Sequence, residues 1–352
     1  MPVDFLIIGQ GLAGSLLAWE LLQRGCKVMV LDSGHENASQ VAAGLINPVT
    51  GMRLVKSGDV DTLLPAARQL YRQLSGVFKQ DFYQEKTMLR LLRTEAEVSA
   101  CQKRLADPAY RDYLGALLGS DRLCAPINQF AAVLEQKQTA YLLTRPLLAC
   151  LKDYFISRNS YRQTSLDYRD IHWQPKPRWQ DITAGQIIFC EGYQAQHNPW
   201  FSGLPYQPAQ GEILTLESET EFAGPMLNFG HWLIPVGANR FRVGATFARM
   251  QTDASPTEAG KVELLQALDK VFPAGSQTRV IAHQANIRPC TADRRPFIGQ
   301  HPRQAGCWIF NGFGAKGSLQ IPWYSQHLVD SLLTGRPLQP ACNIERLCRA
   351  FH

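Results

Sequence analysis

The sequence holds 352 residues, 45% of them hydrophobic and 19% charged, the balance of a folded chain rather than a disordered one. Its length allows one large domain or two interlocked ones, each with its own core. The net charge of +6 is scattered, with no basic run longer than two residues, and no apolar run reaches the roughly 18 residues of a membrane span, so neither nucleic acid nor a bilayer is an expected partner.

Nine cysteines show no Cys-x-x-Cys pair and no His/Cys cluster at zinc spacing, so they read as reduced thiols and no metal site is expected. The first strand starts by residue 5 without the regions of a secretory leader ahead of it, and the expected location is cytoplasmic. Phe5 and Ile7 alternate as in a buried strand, Gly9, Gly11 and Gly14 follow at once, and Ala18 and Leu21 recur at helical spacing. Gly9 permits a tight turn, Gly11 lets a pyrophosphate approach the backbone, and Gly14 lets the helix pack on its strand. Leu12 and Ala13 then open a helix whose N-terminus faces the anion. Val28 and Val30 form a second strand ending on Asp32, about twenty residues after the glycines, where a carboxylate accepts ribose hydroxyls, with Ser33 beside it. This spacing predicts a dinucleotide site, and the acid disfavours NADP.

Residues 39–53 form a loop rich in small side chains, including Ser39, Ala42, Ala43 and Gly44, against which something flat and large can lie. The spacing predicts helices over 61–77, 95–105, 142–159 and 257–271 and strands over 161–171 and 277–286, while 88–92 is a short apolar stretch in a segment of mixed signal. Gln186 to Gly192 is a short apolar run ending in glycine, the form of a buried parallel strand whose carboxyl end meets a ligand. From Gln207 the texture changes to strand-like runs at 211–216, 231–235 and 240–246 separated by turn residues, which predicts an antiparallel sheet. A last strand at 307–310 leads through Gly312, Gly314, Ala315, Lys316 and Gly317 into a helix reaching about Leu333, a second glycine-rich turn with a free helix dipole.

The ordered set of Gly9, Gly11, Gly14 and Asp32, Ser39 with Ala42-Ala43-Gly44, Cys190-Glu191-Gly192, Val243-Gly244-Ala245-Thr246, Arg288-Pro289 with Thr291 and Asp293, and the Gly312 to Gly317 turn resembles the D-amino-acid oxidase superfamily of FAD enzymes. That superfamily includes glycine oxidase, sarcosine oxidase and the FAD domain of the bacterial enzyme that trims methylaminomethyl-uridine in tRNA. The resemblance implies an α/β fold with an α+β substrate part: a Rossmann-type FAD-binding domain of glutathione-reductase type, interleaved with a mostly antiparallel substrate sheet. It assigns 1–80, 145–205 and 285–352 to the FAD domain, and 81–144 and 206–284 to the substrate domain. It implies that Arg288 binds a substrate carboxylate, a task for which guanidinium geometry suits it. The last glycine turn would meet the flavin where negative charge accumulates on reduction, with Lys316 adding positive charge.

One position departs from the resemblance. Several amino-acid oxidases carry a tyrosine on the strand leading to Ile/Val-Pro, whereas this chain has Trp232, with one donor and more bulk, which disfavours a substrate as small as glycine. His231 beside it is a further candidate contact. Cys290 does not fall where sarcosine oxidase's flavin-linking cysteine would, so non-covalent FAD is expected. The implied activity is oxidation of the C–N bond of an amino acid or N-substituted amino acid by hydride transfer to flavin N5, with oxygen or a quinone as electron acceptor. The alternatives are demodification of carboxymethylaminomethyl-uridine in tRNA, 2-hydroxy-acid oxidation and a non-catalytic flavin-binding module.

Overall fold

Strand β1 (Pro2–Ile8) ends in four consecutive buried residues, Phe5 to Ile8, because both faces of its sheet are covered. The computed structural model describes residues 1–119, 130–219, 224–272 and 278–351. Strand β1 pairs in parallel with β2 (Val28–Asp32) on one side and with Ile182–Phe189 on the other. Tyr161–Gln163 extends the sheet beyond β2 and Cys307–Asn311 extends it beyond Ile182–Phe189, both in parallel. Strand order therefore reverses at β1. The crevice at the carboxyl ends of β1 and Ile182–Phe189 is a topological switch point, the place where α/β sheets bind ligands.

Helix α1 (Leu12–Gln23) buries nine of its twelve residues, packing against the Thr144–Ser157 and Gly317–Thr334 helices. Pro322 lies inside the last of these and has no N–H for the Ser318 carbonyl. The buried Tyr71 hydroxyl donates to that carbonyl at 2.8 Å instead, so the helix keeps its accounting of hydrogen bonds across the proline.

A second, nine-stranded sheet supplies the other half of the molecule. Ala209–Ser218, Arg240–Gly244, Trp232–Pro235 and Thr278–Arg288 run antiparallel in it. Met226–Asn228 then joins Met88–Leu92 in a parallel pair, which brings in Ala132–Gln136 and Leu114–Leu118 from a stretch of mixed sequence pattern.

The mixed α/β architecture is the one expected. The helices predicted over 61–77, 95–105, 142–159 and 257–271 are found as Val60–Phe78, Glu95–Leu105, Thr144–Ser157 and Glu258–Asp269. The strand predicted over 161–171 is shorter: it stops at Gln163, and a 3-10 turn at Tyr168–Asp170, capped by the Asp167 side chain, separates it from Ile171–His172. The loop over 39–53 carries more order than expected, because the Asn37 side chain accepts from the Ser39 and Gln40 amides and starts a short helix, α2 (Ala38–Val41). Gln277, where a strand was expected to begin, and Cys124 lie outside the described residues. Seven cysteines are placed as free thiols, and Cys101, Cys190, Cys307 and Cys342 among them are buried.

Candidate active site

The β1 to α1 turn is built for close backbone approach. A Cβ on Gly9, whose φ is +106°, would stand 2.6 Å from the Cys190 carbonyl oxygen, and one on Gly14 would stand 1.9 Å from the Gly9 carbonyl oxygen. Gly11 caps α1 without a side chain, and the Ser39 hydroxyl accepts from the Leu12 amide at 3.0 Å. The Ala13 and Gly14 amides, in the first turn of the helix, have no intrahelical acceptor. The Asp32 carboxylate accepts from the Gln10 amide at 2.8 Å and the Gly34 amide at 2.7 Å, which fixes it at the rim of the crevice. Ser33 beside it is exposed and accepts from the His35 amide. The Asn311 side chain donates to the Gly192 carbonyl at 2.8 Å and accepts from the Gly312 amide at 2.8 Å, so the two later glycine turns are tied together.

The loop after α2 is held from the second sheet. Arg242 donates to the Val41 and Ala42 carbonyls, Gln136 to the Val49 carbonyl at 2.8 Å, and Arg90 to the Gly51 carbonyl at 2.9 Å. Ala43 packs on Met88, Tyr141, Met226 and Ile234. The register accounts for this convergence: Arg90, Asn228, Trp232, Gly244 and Ile213 are directly opposite one another across successive strands, and Arg242 lies two residues from Gly244. Residues paired in this way share a face of the sheet. One sheet face therefore grips the loop of small residues.

Arg288 shares that face through its pairing with Ala209. Its guanidinium donates to the Gln210 carbonyl at 3.1 Å and to the Thr246 carbonyl at 3.2 Å, lies 5.1 Å from the centre of the Phe247 ring, and occupies the space a Cβ on Gly211 would need. Burial pulls it down from the usual guanidinium value, and no carboxylate among the described residues pairs with it. Trp232 lies over Gly244, where a Cβ would come within 2.7 Å of its ring. Lys316 is half-buried in the 3-10 turn Gly314–Lys316 that leads into the last helix, beside the exposed Ala315 and the helix-starting Gly317, and donates to the Ser57 hydroxyl at 2.8 Å. Burial lowers its pKa, and Arg294 adds repulsion. His231 is set apart from these groups: its Nε2 lies within hydrogen-bond distance, 2.9 Å, of the Glu263 carboxylate on the Glu258–Asp269 helix.

A family model described as DAO, FAD dependent oxidoreductase, matches residues 4–331. The chain belongs to this family. It is an FAD-dependent oxidoreductase. Glycine oxidase of Geobacillus kaustophilus is 24% identical over 358 residues, covering 91% of this chain and 90% of that protein. The tRNA 5-methylaminomethyl-2-thiouridine biosynthesis bifunctional protein MnmC of Marinobacter nauticus is 24% identical over 371 residues, covering 98% of this chain and 57% of that protein. The chain thus spans little more than half the length of that relative. The solved structure of glycine oxidase from Bacillus cereus superimposes with a TM-score of 0.82 at 19% identity, covering 95% of this chain and 96% of that one.

FAD fits the residues present in this DAO-family chain. The glycines at the β1 to α1 turn leave a cradle that Cβ atoms would fill, and the Asp32 carboxylate stands at its rim. Sequence reasoning passed over Arg90, Gln136 and Arg242, of which Arg242 alternates with apolar neighbours as the solvent face of a strand does and Gln136 lies in a polar run. It also passed over Gly211, though an isolated glycine in a strand marks a close approach, here that of Arg288. No helix among the described residues is long and apolar enough to cross a membrane.

Proposed function

We propose that this chain oxidises the C–N bond of an amino acid or N-substituted amino acid. The observation that carries the reading is Arg288, a part-buried guanidinium without a carboxylate partner among the described residues, on the sheet face that grips the Ala42 to Gly51 loop. Such a group is costly to leave unpaired and binds a substrate carboxylate in two-point fashion. Bound FAD supplies the hydride acceptor. In this reading the Gly9 to Gly14 turn and Asp32 hold the dinucleotide, and Ser39, the Ala42 to Gly44 segment, Gly192 and the Gly312 to Gly317 turn border it. Segments 1–80, 145–205 and 285–352 form the cofactor part, with 81–144 and 206–284 as the substrate part.

Arg288 fixes the carboxylate and so orients the carbon that loses hydride, while the nitrogen loses a proton to water and the imine hydrolyses in solution. Trp232 bounds the pocket with its ring. Lys316 stands at the start of the last helix, where its side chain donates to the Ser57 hydroxyl. The test is anaerobic loss of flavin colour against D- and L-amino acids, N-methyl amino acids and 2-hydroxy acids. Bleaching by amino acids supports the proposal; bleaching by hydroxy acids alone, or by none of them, overturns it.

The match to the tRNA-modifying MnmC relative favours a second reading, oxidation at a modified tRNA uridine. Its mark is tRNA binding that weakens steeply with added salt, since phosphate contacts release counterions. Binding of that kind with no response to free amino acids would favour the second reading over the first.

A further inference from the structure

Two arginines flank Ala209. The register sets Ala209 opposite Arg288 on one neighbouring strand and opposite Arg249, in the short Ala248–Arg249 strand, on the other. The Met250 amide continues that pairing by donating to the Pro208 carbonyl at 2.8 Å. Directly opposed residues in antiparallel strands project from one face, so Arg249, Ala209 and Arg288 share a side of the sheet. Two inter-strand steps put the arginine Cα atoms roughly 10 Å apart. The alanine between them adds only a methyl group.

The two arginines differ in how they are held. Arg288 is anchored by the Gln210 and Thr246 carbonyls, whereas Arg249 is exposed and forms no ion pair among the described residues. Both act on the same neighbour. Burial pushes the Cys290 thiol up, while Arg288 and then Arg249 pull it back. Cys290 Sγ lies 3.3 Å from where a Cβ on Gly314 would stand, so the thiol that both cations act on stands beside the last glycine turn. The Phe247 ring, on the segment between Gly244 and Arg249, lies over Arg288 and is half-exposed, which places an aromatic surface next to the pair.

We infer that the substrate carries two carboxylates, one bound by Arg288 and the other by Arg249. The class is an amino-dicarboxylic acid or an N-carboxyalkyl amino acid. The inference rests on the reading that Arg288 takes a substrate carboxylate. Like charges on one face with no acid between them favour a dianion over a monoanion, because each guanidinium then meets its own counter-charge.

The experiment compares the FAD-loaded wild type with Arg249→Ala and Arg249→Lys. Steady-state KM is measured for alanine and N-methylglycine against aspartate, glutamate and N-carboxymethylglycine, and succinate and propionate are titrated against the flavin absorption spectrum. The expected result is a KM ratio favouring dicarboxylates by about tenfold in the wild type, the worth of one charge-assisted contact. Arg249→Ala should erase the ratio and Arg249→Lys should restore part of it. A ratio near one in the wild type, or one that survives Arg249→Ala, overturns the inference while amino-acid oxidation stands. Succinate binding that depends on Arg249, with no amine able to bleach the flavin, keeps the dianion site and removes the oxidase reading. If neither class binds nor bleaches, both are wrong.

Discussion

The Arg242 guanidinium donates to the Val41 carbonyl at 2.6 Å, with a second contact to the Ala42 carbonyl at 3.1 Å, and so joins the second sheet to the end of α2. Burial, with repulsion from Arg145, pulls its pKa down to about 10, which leaves it charged at neutral pH. Replacing it by methionine keeps the bulk but strips the Val41 carbonyl of its side-chain donor and leaves the Ala42 carbonyl only the long contact from the Thr144 hydroxyl, at about 1–3 kcal/mol for an unsatisfied group. Arg242→Met should lower the melting temperature and weaken FAD retention, with Arg242→Lys intermediate. Thermal melts with and without added FAD check this, and coincident curves for the three proteins would refute it.

Gly211 clears the path of Arg288. A Cβ there would lie 2.0 Å from the Arg288 Nη2, and the flexible end of a side chain can yield where backbone cannot. Gly211→Ala should therefore keep the fold and displace the guanidinium. The expected result is a KM for carboxylate substrates raised about tenfold or more, with kcat changed far less, since a uniform binding contact is weakened. Unchanged near-ultraviolet circular dichroism together with unchanged KM would show that Arg288 does not act from this position.

Gly14 has no such latitude. Its Cβ would meet the Gly9 carbonyl oxygen at 1.9 Å, backbone against backbone, so α1 itself must move away from β1. Gly14→Ala should cost more than a core adjustment and release the cofactor, giving a colourless protein that added FAD fails to restore. A yellow, reconstitutable variant would sink the assignment of this turn to the dinucleotide.

The cofactor half was legible because its chemistry is local. The strand, glycines, helix and Asp32 fall within the first 32 residues, and each demands a particular residue type at a particular spacing. The sheet face that grips the small-residue loop was not legible, because it is assembled by register. Arg90, Trp232 and Arg242 come from three strands, and only their pairing through Asn228, Gly244 and Ile234 puts them on one side. Arg242 reads alone as a polar position in an alternating strand, Arg90 as one charge in an apolar run, and Trp232 shows nothing of the arginines beside it. His231 shows the converse: its sequence position beside Trp232 made it a candidate, yet alternation turns it to the other face, where Glu263 meets it.

Glu191 follows Cys190 at the carboxyl end of the central parallel strand and accepts hydrogen bonds from Tyr168 at 2.7 Å and Asn198 at 2.8 Å. Burial pushes its carboxyl up to about 7 despite those two donors. An unfolded glutamate titrates near ~4.3. Between those values the folded protein keeps a proton that the unfolded chain has released, so stability falls as pH rises through the window. The full swing is on the order of 4 kcal/mol, at 1.36 kcal/mol per unit. Glu191→Gln keeps an acceptor for one of the two donors and, like the protonated acid, carries hydrogen on the other side, but it has no proton to lose. Its melting temperature relative to wild type should climb between about pH 4.3 and about pH 7, the window between the unfolded and folded values. Two melting-temperature profiles that stay parallel across that range would mean that Glu191 titrates as an ordinary carboxylate.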